Sequence, residues 1–209
     1  MTGRTTMDVM AELALLRQNN NGVIELRQAQ ERGVTLAQLS RLVADHKLKR
    51  LDRNRYILPL ERNDDMVVMA RMDRRAMFSH ETALYLHGLL AEQPEQMAIT
   101  LPSGHKPDPV VRAECKLYYI GEPLMNLGTT LLPSPQGNLV PAYDLERTIC
   151  DVARSRARVG MDIFLDAMVK YAANPQKDLA RLHDYSDQLM VTSMVRSYLD
   201  PLLSANETF

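Results

Sequence analysis

Residues 24–59 read IELRQAQERGVTLAQLSRLVADHKLKRLDRNRYILP, and this stretch decides the fold of the N-terminal part of the chain. Ala29 lies four residues before Gly33, on the helix that precedes the turn. Because its side chain is small, the helix that follows the turn can cross close to this one. Gly33 supplies the backbone freedom of a tight turn. Thr35 is a suitable N-cap for the following helix, and Asp52-Arg53-Asn54 is a turn between two short apolar runs.

Working outward, apolar residues at helical spacing predict a first helix over residues 6–19. A second helix is expected from about Ile24 to Arg32 and a third from Leu36 to about His46. Helix, helix, tight turn, helix and hairpin is the order of a winged helix-turn-helix. A generic three-helix bundle shows the same pattern, so both interpretations stay open.

The polar run Glu61–Asp65 predicts a domain boundary, which divides the chain into residues 1–62 and 63–209. Short strand-like runs precede a series of helical patterns in the second part, which predicts an α+β C-terminal domain ending in helices. The expected strands lie near residues 97–101, 117–120, 129–132 and 139–142. The expected helices lie near residues 65–72, 79–89, 144–157, 162–172 and 178–202, the last with a break at Met190-Val191.

The charge of the whole chain is nearly balanced, with 25 Lys and Arg against 26 Asp and Glu. The two parts differ, because residues 1–62 carry 11 cations and 7 carboxylates whereas the remainder carries 14 and 19. A basic N-terminal third on a mildly acidic body indicates an anionic partner for that third.

Double-stranded DNA is the anionic partner that the helix-turn-helix pattern favours. On a helical wheel Gln38 and Arg41 lie on the outer face of the third helix, where Gln can pair with adenine and Arg with guanine. Five cations within residues 47–55 follow, at the position of a wing. The alternative for each set is a solvated surface. The predicted DNA-binding residues are Thr35, Gln38, Arg41, Lys47, Lys49, Arg50, Arg53 and Arg55.

Motifs of the common catalytic sites are missing from the sequence. It has no HExxH pair, no Cys-x-x-Cys, no P-loop and no Gly-x-Ser-x-Gly, so we predict no catalytic residue, no metal and no cofactor. The predicted helix from residue 144 carries one charged stripe, formed by Arg147, Asp151, Arg154 and Arg158. It is either a self-paired solvated face or a second contact surface for DNA or protein, formed by Arg147, Arg154 and Arg158.

Two cysteines, Cys115 and Cys150, stand far apart in sequence and are expected to be small core residues, although they could pair. Their number fits a reducing compartment. No apolar run reaches the length of a membrane span, and the N-terminus does not have the pattern of a signal peptide. The expected location is the cytoplasm, with no membrane partner.

Two segments resemble motifs of the AbiEi antitoxin family, over a likeness that spans roughly residues 7–203. They are Ser79-His80-Glu81-Thr82-Ala83-Leu84-Tyr85-Leu86-His87-Gly88-Leu89 and Tyr143-Asp144-Leu145-Glu146-Arg147-Thr148-Ile149-Cys150-Asp151, the second followed by Arg154-Ser155-Arg156. The resemblance implies an antitoxin of a type IV, abortive-infection toxin–antitoxin system. It also implies that the antitoxin opposes a nucleotidyltransferase-like toxin, directly or indirectly, and represses its own operon by binding inverted repeats.

Two alternatives belong to other functional classes. One is a nucleic-acid-processing enzyme that a winged helix targets to its substrate. The other is a plain transcriptional regulator whose C-terminal domain binds a ligand or a partner.

Overall fold

The computed structural model describes residues 6–19, 23–57 and 64–206. The protein is of mixed α+β class, as the sequence predicts, and it divides into two compact units, residues 1–72 and 73–209. The expected boundary after residue 62 lies outside the described residues.

Within residues 6–19, 23–57 and 64–72, the first unit has four helices and a small antiparallel sheet. Its elements are α1 (Thr6–Asn19), β1 (Val23–Glu25), α2 (Leu26–Glu31), α3 (Leu36–Ala44), β2 (Lys49–Arg50), β3 (Arg55–Ile57) and α4 (Asp65–Met72). The strands lie in the order β1-β3-β2, and both pairs are antiparallel.

The prediction that the second helix begins near Ile24 is wrong, because that residue lies in β1. Ile24 is fully buried and pairs with Tyr56 of β3. A β-branched pair, Val23-Ile24, suits a strand, and a partner some 30 residues away makes that strand possible. The helix α2 therefore starts only at Leu26.

The turn between α2 and α3 has the predicted chemistry. Ala29 is fully buried, and its carbonyl accepts a hydrogen bond from the N–H of Val34 at 2.9 Å. Gly33 adopts a φ of 77°, a conformation that favours glycine. Thr35 caps α3, and the side chain of Gln38 completes the capping box. The angle between α2 and α3 is thereby fixed locally.

The second unit has a five-stranded sheet and a set of helices. Its elements are β4 (Met77–Phe78), α5 (His80–Leu86), β5 (Met97–Pro102), α6 (Pro109–Glu114), β6 (Cys115–Ile120), β7 (Thr129–Pro133), β8 (Leu139–Tyr143), α7 (Leu145–Arg154), α8 (Arg156–Val159), α9 (Met161–Ala173), α10 (Leu179–Gln188) and α11 (Thr192–Asn206). The strand order is β6-β5-β4-β8-β7, with β5/β6 and β4/β8 parallel and the other pairs antiparallel.

The core of this unit forms around α7. Ile149, Cys150 and Val152 are fully buried, and they belong to the same apolar cluster as Phe164 of α9. Cys150 and Cys115 are both free and buried, which confirms that they are core residues. Burial raises the pKa of the Cys115 thiol to about 12, so this thiol stays protonated.

The break predicted at Met190-Val191 is confirmed, because the chain turns there between α10 and α11. Met190 has a φ of 56° and its side chain is exposed to solvent. Within the described ranges, none of the helices has the length and apolar character that a membrane span requires.

Candidate nucleic-acid interface and the buried polar centre of the second unit

The outer face of α3 carries small and polar side chains. Ala37, Ser40 and Arg41 are exposed, and for Arg41 this agrees with its predicted position on the wheel. Leu36 is 49% exposed, because it is the first residue of the helix and precedes the turn that packs on the core. An α-helix with small residues on its outer face can approach a groove closely.

Gln38 is not as free to read a base as the wheel suggests. Its side-chain carbonyl accepts hydrogen bonds from the backbone N–H of Thr35 at 2.8 Å and from the Thr35 hydroxyl at 3.0 Å. A bidentate contact to adenine needs both the carbonyl and the amide of Gln. In the capped state only the amide can donate, so Arg41 is the better candidate for base readout.

The turn between β2 and β3 is organised by Asp52. Its carboxylate accepts hydrogen bonds from the backbone N–H groups of Asn54 and Arg55, both at 2.8 Å, and pairs with the Arg55 guanidinium at 2.7 Å. Burial by itself would raise the pKa of Asp52, but the hydrogen bonds from Arg55 and Asn54 outweigh it and lower the pKa. Arg55 therefore stabilises the turn.

The other four predicted wing cations fall into two groups. Arg50 donates to the carbonyls of Asp52 at 2.8 Å and Arg53 at 3.2 Å, so it also holds the turn together. Lys47 and Arg53 are exposed, and Lys49 is a half-exposed side chain 3.2 Å from Asp65. We therefore expect Lys47, Lys49 and Arg53 to be the residues that can turn toward an anion.

A buried ion pair lies at the centre of the second unit. The Arg147 side chain is fully buried, and its Nε lies 3.0 Å from Oδ2 of Asp151. Its Nη1 donates to the carbonyls of Leu124 at 2.8 Å and Leu127 at 2.7 Å. The guanidinium also lies 4.1 Å from the ring centroid of Tyr143.

The prediction that Arg147 belongs to a contact surface is therefore wrong. Every residue of α7 from Leu145 to Ala153 is buried, so the helix has no solvated face along most of its length. An i,i+4 pair of opposite charges is typical of an exposed helix face, which explains the error. Apolar or small residues at 149, 150, 152 and 153 share one side of the helix, opposite Arg147 and Asp151, so the sequence pattern indicated one buried face and did not reveal that the charged side is covered as well.

Arg154 and Arg158 are exposed, as predicted for that surface. Arg158 is anchored, since its guanidinium lies 4.3 Å from the Tyr118 ring centroid and donates to the Leu117 carbonyl at 2.7 Å. Lys116 donates to the Arg158 carbonyl at 2.9 Å and forms an ion pair with the buried Glu81. The charges next to Arg158 are therefore already paired, since Lys116 is neutralised by Glu81.

His80 joins residues that sequence reasoning did not bring together. Its ring is stacked on Tyr118 with a centroid distance of 3.4 Å. Its Nδ1 lies 2.9 Å from the Ser79 hydroxyl, and its Nε2 lies 3.0 Å from the hydroxyl of Ser155, which is 75 residues away in sequence. Burial lowers the pKa of His80 well below its ordinary value, and the nearby Arg154 adds to this.

The imidazole of His80 is therefore neutral near pH 7, and it ties α5 to the junction of α7 and α8. Its φ of 48° lies in the left-handed region, which a non-glycine residue adopts only when its surroundings hold it there. The sequence motif around residue 80 did signal a special position, but it did not identify Ser155 as the partner. The described residues contain no group of three or more metal-binding side chains.

We predict that the second unit loses stability in mild acid because of His80 and His87. Burial also lowers the pKa of His87, although its Nε2 donates to the Tyr143 carbonyl at 2.9 Å. Both pKa values are lower in the folded than in the unfolded state, so the unfolded chain takes up protons first. The stabilisation is complete above the unfolded-state pKa of about 6.5, and it is lost as the pH falls from there toward the lower folded-state pKa of each histidine.

Urea unfolding followed by circular dichroism at pH 7.5 and pH 5.5 measures this loss. The His80→Gln variant should lose less free energy of unfolding between the two pH values than the wild type does. The exposed His183 supplies the matched control, since His183→Gln should keep the wild-type difference. Equal differences for all three proteins would contradict the assignment to His80.

Neither a family model nor a curated relative matches the chain. The chain is similar to the crystal structure of the RV2827C protein from Mycobacterium tuberculosis, with a TM-score of 0.59 and 13% sequence identity. The likeness covers 94% of this chain and 80% of that chain. At this identity it shows that the two chains share a fold, and it carries no statement about function.

Proposed function

We propose that this protein is an AbiEi-type antitoxin that represses its own operon by binding inverted repeats and opposes a nucleotidyltransferase-like toxin. The observation that carries the DNA-binding part is the first unit itself. A helix with an exposed outer face, α3, is followed directly by a short hairpin that exposes cations. We interpret this unit as a winged helix-turn-helix, with α3 as the recognition helix and β2–β3 as the wing.

Base readout is assigned to Arg41 on this interpretation. Its side chain is exposed on the same helix face as Ala37 and Ser40, which are small enough to admit a duplex. A guanidinium can donate to O6 and N7 of guanine together. Thr35 and Gln38 then act chiefly by holding the start of α3 at a fixed angle.

Contact with the phosphate backbone is assigned to Lys47, Lys49 and Arg53. These cations are at least half-exposed and lie on or beside the β2–β3 turn. Neutralising phosphates releases counterions, so each contact adds affinity that depends on salt but not on sequence. The net charge of +4 on residues 1–62 supports this assignment.

The antitoxin part of the proposal is supported by the two motif segments of the second unit. They form α5 and α7, and His80, Glu81 and Arg147 of these segments make the buried polar contacts described above. The motifs therefore define the fold of a domain that is larger than DNA binding requires. If this chain is instead a plain regulator, operator binding will persist while toxin protection is missing.

Replacing Lys47, Lys49 and Arg53 with Ala should weaken binding to operator and random DNA alike. The slope of log K against log salt should fall by roughly 0.9 for each lost phosphate contact. Fluorescence anisotropy at several salt concentrations measures both effects. A control with the same charge change replaces the exposed Lys106, Arg112 and Arg196 of the second unit, and its slope should stay at the wild-type value. An unchanged slope in the first variant would refute the wing assignment.

Arg41→Ala should reduce the preference for operator over random DNA by about tenfold or more, because a good base contact is worth about 1–3 kcal/mol. Arg27→Ala on α2 is the matched control, since Arg27 is another exposed arginine of the same unit. Competition binding with both DNAs gives the ratio directly. An equal loss on the two DNAs would mean that Arg41 touches phosphate only.

Growth rescue tests the antitoxin function. Cells that express the toxin should survive with the full chain but not with residues 1–72 alone, because the motif segments lie in the other unit. Arg154→Glu combined with Arg158→Glu should reduce rescue by the full chain, with folding checked by circular dichroism. Lys106→Glu with Arg112→Glu is the control for the charge change. Rescue by residues 1–72 would overturn this part of the proposal.

A further inference from the structure

The strand β7 forms one edge of the five-stranded sheet. It is last in the order β6-β5-β4-β8-β7 and pairs with β8 alone among the described strands. An edge strand presents a row of unpaired backbone N–H and C=O groups, which can pair with another strand. Folded proteins usually block such an edge with charged side chains, a bulge or a covering segment.

Charged residues are missing from the β7–β8 hairpin itself. The sequence from Pro123 to Tyr143 contains no Asp, Glu, Lys or Arg, in a chain that is 24% charged. Both strands of the β7–β8 hairpin and the turn between them fall within this neutral segment. The hairpin therefore carries no charge of its own that would repel a second strand.

The phase of the hydrogen bonds shows which groups of β7 face outward. The N–H of Asp144 donates to Gly128 at 2.7 Å, and the N–H of Ser134 donates to Asn138 at 2.8 Å. Hydrogen-bonded pairs alternate along an antiparallel ladder, so the even-numbered residues of β7 bond to β8. Thr129, Leu131 and Pro133 therefore direct their backbone groups away from the sheet.

An apolar face accompanies the open edge. Leu131 pairs with Pro141, and Pro133 pairs with Leu139, so these four side chains lie on the same face of the hairpin. Leu131 is 58% exposed and Leu139 is 64% exposed. The edge therefore offers both backbone hydrogen bonds and apolar surface to a partner.

We propose that β7 pairs antiparallel with β7 of a second copy of this chain, about a two-fold axis at Leu131. The two Leu131 residues then exchange both backbone hydrogen bonds, and each Thr129 N–H donates to the Pro133 carbonyl of the other copy. Pro133 has no N–H, so every outward N–H of β7 receives an acceptor in this register. The register is self-complementary, as a two-fold contact requires.

Charge also favours a second copy over an unrelated partner. A two-fold contact sets a surface against itself, so a patch of one sign repels its own copy. Residues 63–209 carry 14 cations against 19 carboxylates, yet the hairpin is free of both. It is therefore a surface on which two acidic units can meet without placing like charges in contact.

The use of this pairing, which is to bind an inverted repeat, rests on the proposed function. An inverted repeat offers two half-sites related by a two-fold axis, and a two-fold pair of chains offers two recognition helices. The pairing itself is independent of DNA. Its failure can therefore be distinguished from a failure of the proposed function.

The experiment is sedimentation of the full chain without DNA, over a range of concentrations. The wild type should approach about 47 kDa, which is twice the chain mass of 23.7 kDa. Leu131→Lys and Leu131→Asp should each sediment as a monomer, because like charges then face each other at the axis. An equimolar mixture of the two variants should form the dimer again, since the lysine then faces the aspartate.

Val169→Lys is the matched control, because Val169 is 52% exposed on α9 and the variant should remain dimeric. Amide hydrogen exchange gives a second measurement, in which Thr129 and Leu131 should be protected in the dimer and exchange fast in the Leu131→Lys variant. A wild type that stays monomeric overturns the proposal, as does a mixture of the two variants that fails to pair. Protection of these amides only when the toxin is added would assign the edge to the toxin instead.

Discussion

The buried ion pair of Arg147 and Asp151 is the constraint on which the second unit depends. A buried guanidinium is tolerated only where its charge is balanced and most of its donors are paired. Here Asp151 pairs with Nε, the Leu124 and Leu127 carbonyls accept from Nη1, and the Tyr143 ring lies beside the charge. The Leu124 and Leu127 carbonyls lie in the segment before β7. By donating to both, Arg147 fixes the loop that leads into the edge strand. Nη2 of Arg147 and Oδ1 of Asp151 are buried without a hydrogen-bond partner within the described part of the chain.

Close packing around this pair explains the glycine before β7. A Cβ at Gly128 would lie 2.6 Å from the Cβ of Arg147 and 3.0 Å from Oδ1 of Asp144, and the φ of Gly128 is 71°. The backbone must therefore come this close for the hairpin to join the sheet, and only glycine allows it. The Asp144 carboxylate also caps α7 by accepting from the Arg147 N–H at 2.9 Å. Arg147 of α7 thus contacts the residue that caps its own helix, Asp144, and the glycine that precedes the edge strand, Gly128.

Local signals in the sequence predicted much of this fold, whereas distant contacts decided the rest. Turn and cap chemistry at Gly33 and Thr35 depends on neighbours in sequence, so it could be predicted. Ile24 lies in a strand because Tyr56 pairs with it, and no pattern within residues 20–32 reveals that partner. The burial of Arg147 likewise depends on carbonyls about 20 residues away. At the candidate DNA surface, the wheel placed Gln38 on the outer face, where it is partly buried, and it could not show that the capping box occupies its carbonyl.

The two units differ in where their charges lie: the first exposes cations, whereas the second pairs its charges in the interior. The first unit exposes cations around a turn that Asp52 and Arg55 hold rigid, so an anion can be bound without reorganising the loop. The second unit pairs its interior charges, as Arg147 with Asp151 and Lys116 with Glu81, and leaves the hairpin neutral. Contact with phosphates weakens steeply with salt, whereas pairing of neutral strands responds little to it. If the chain binds DNA and pairs through β7 as we propose, salt should release it from DNA while the two copies remain together, since the hairpin has no charge for ions to screen.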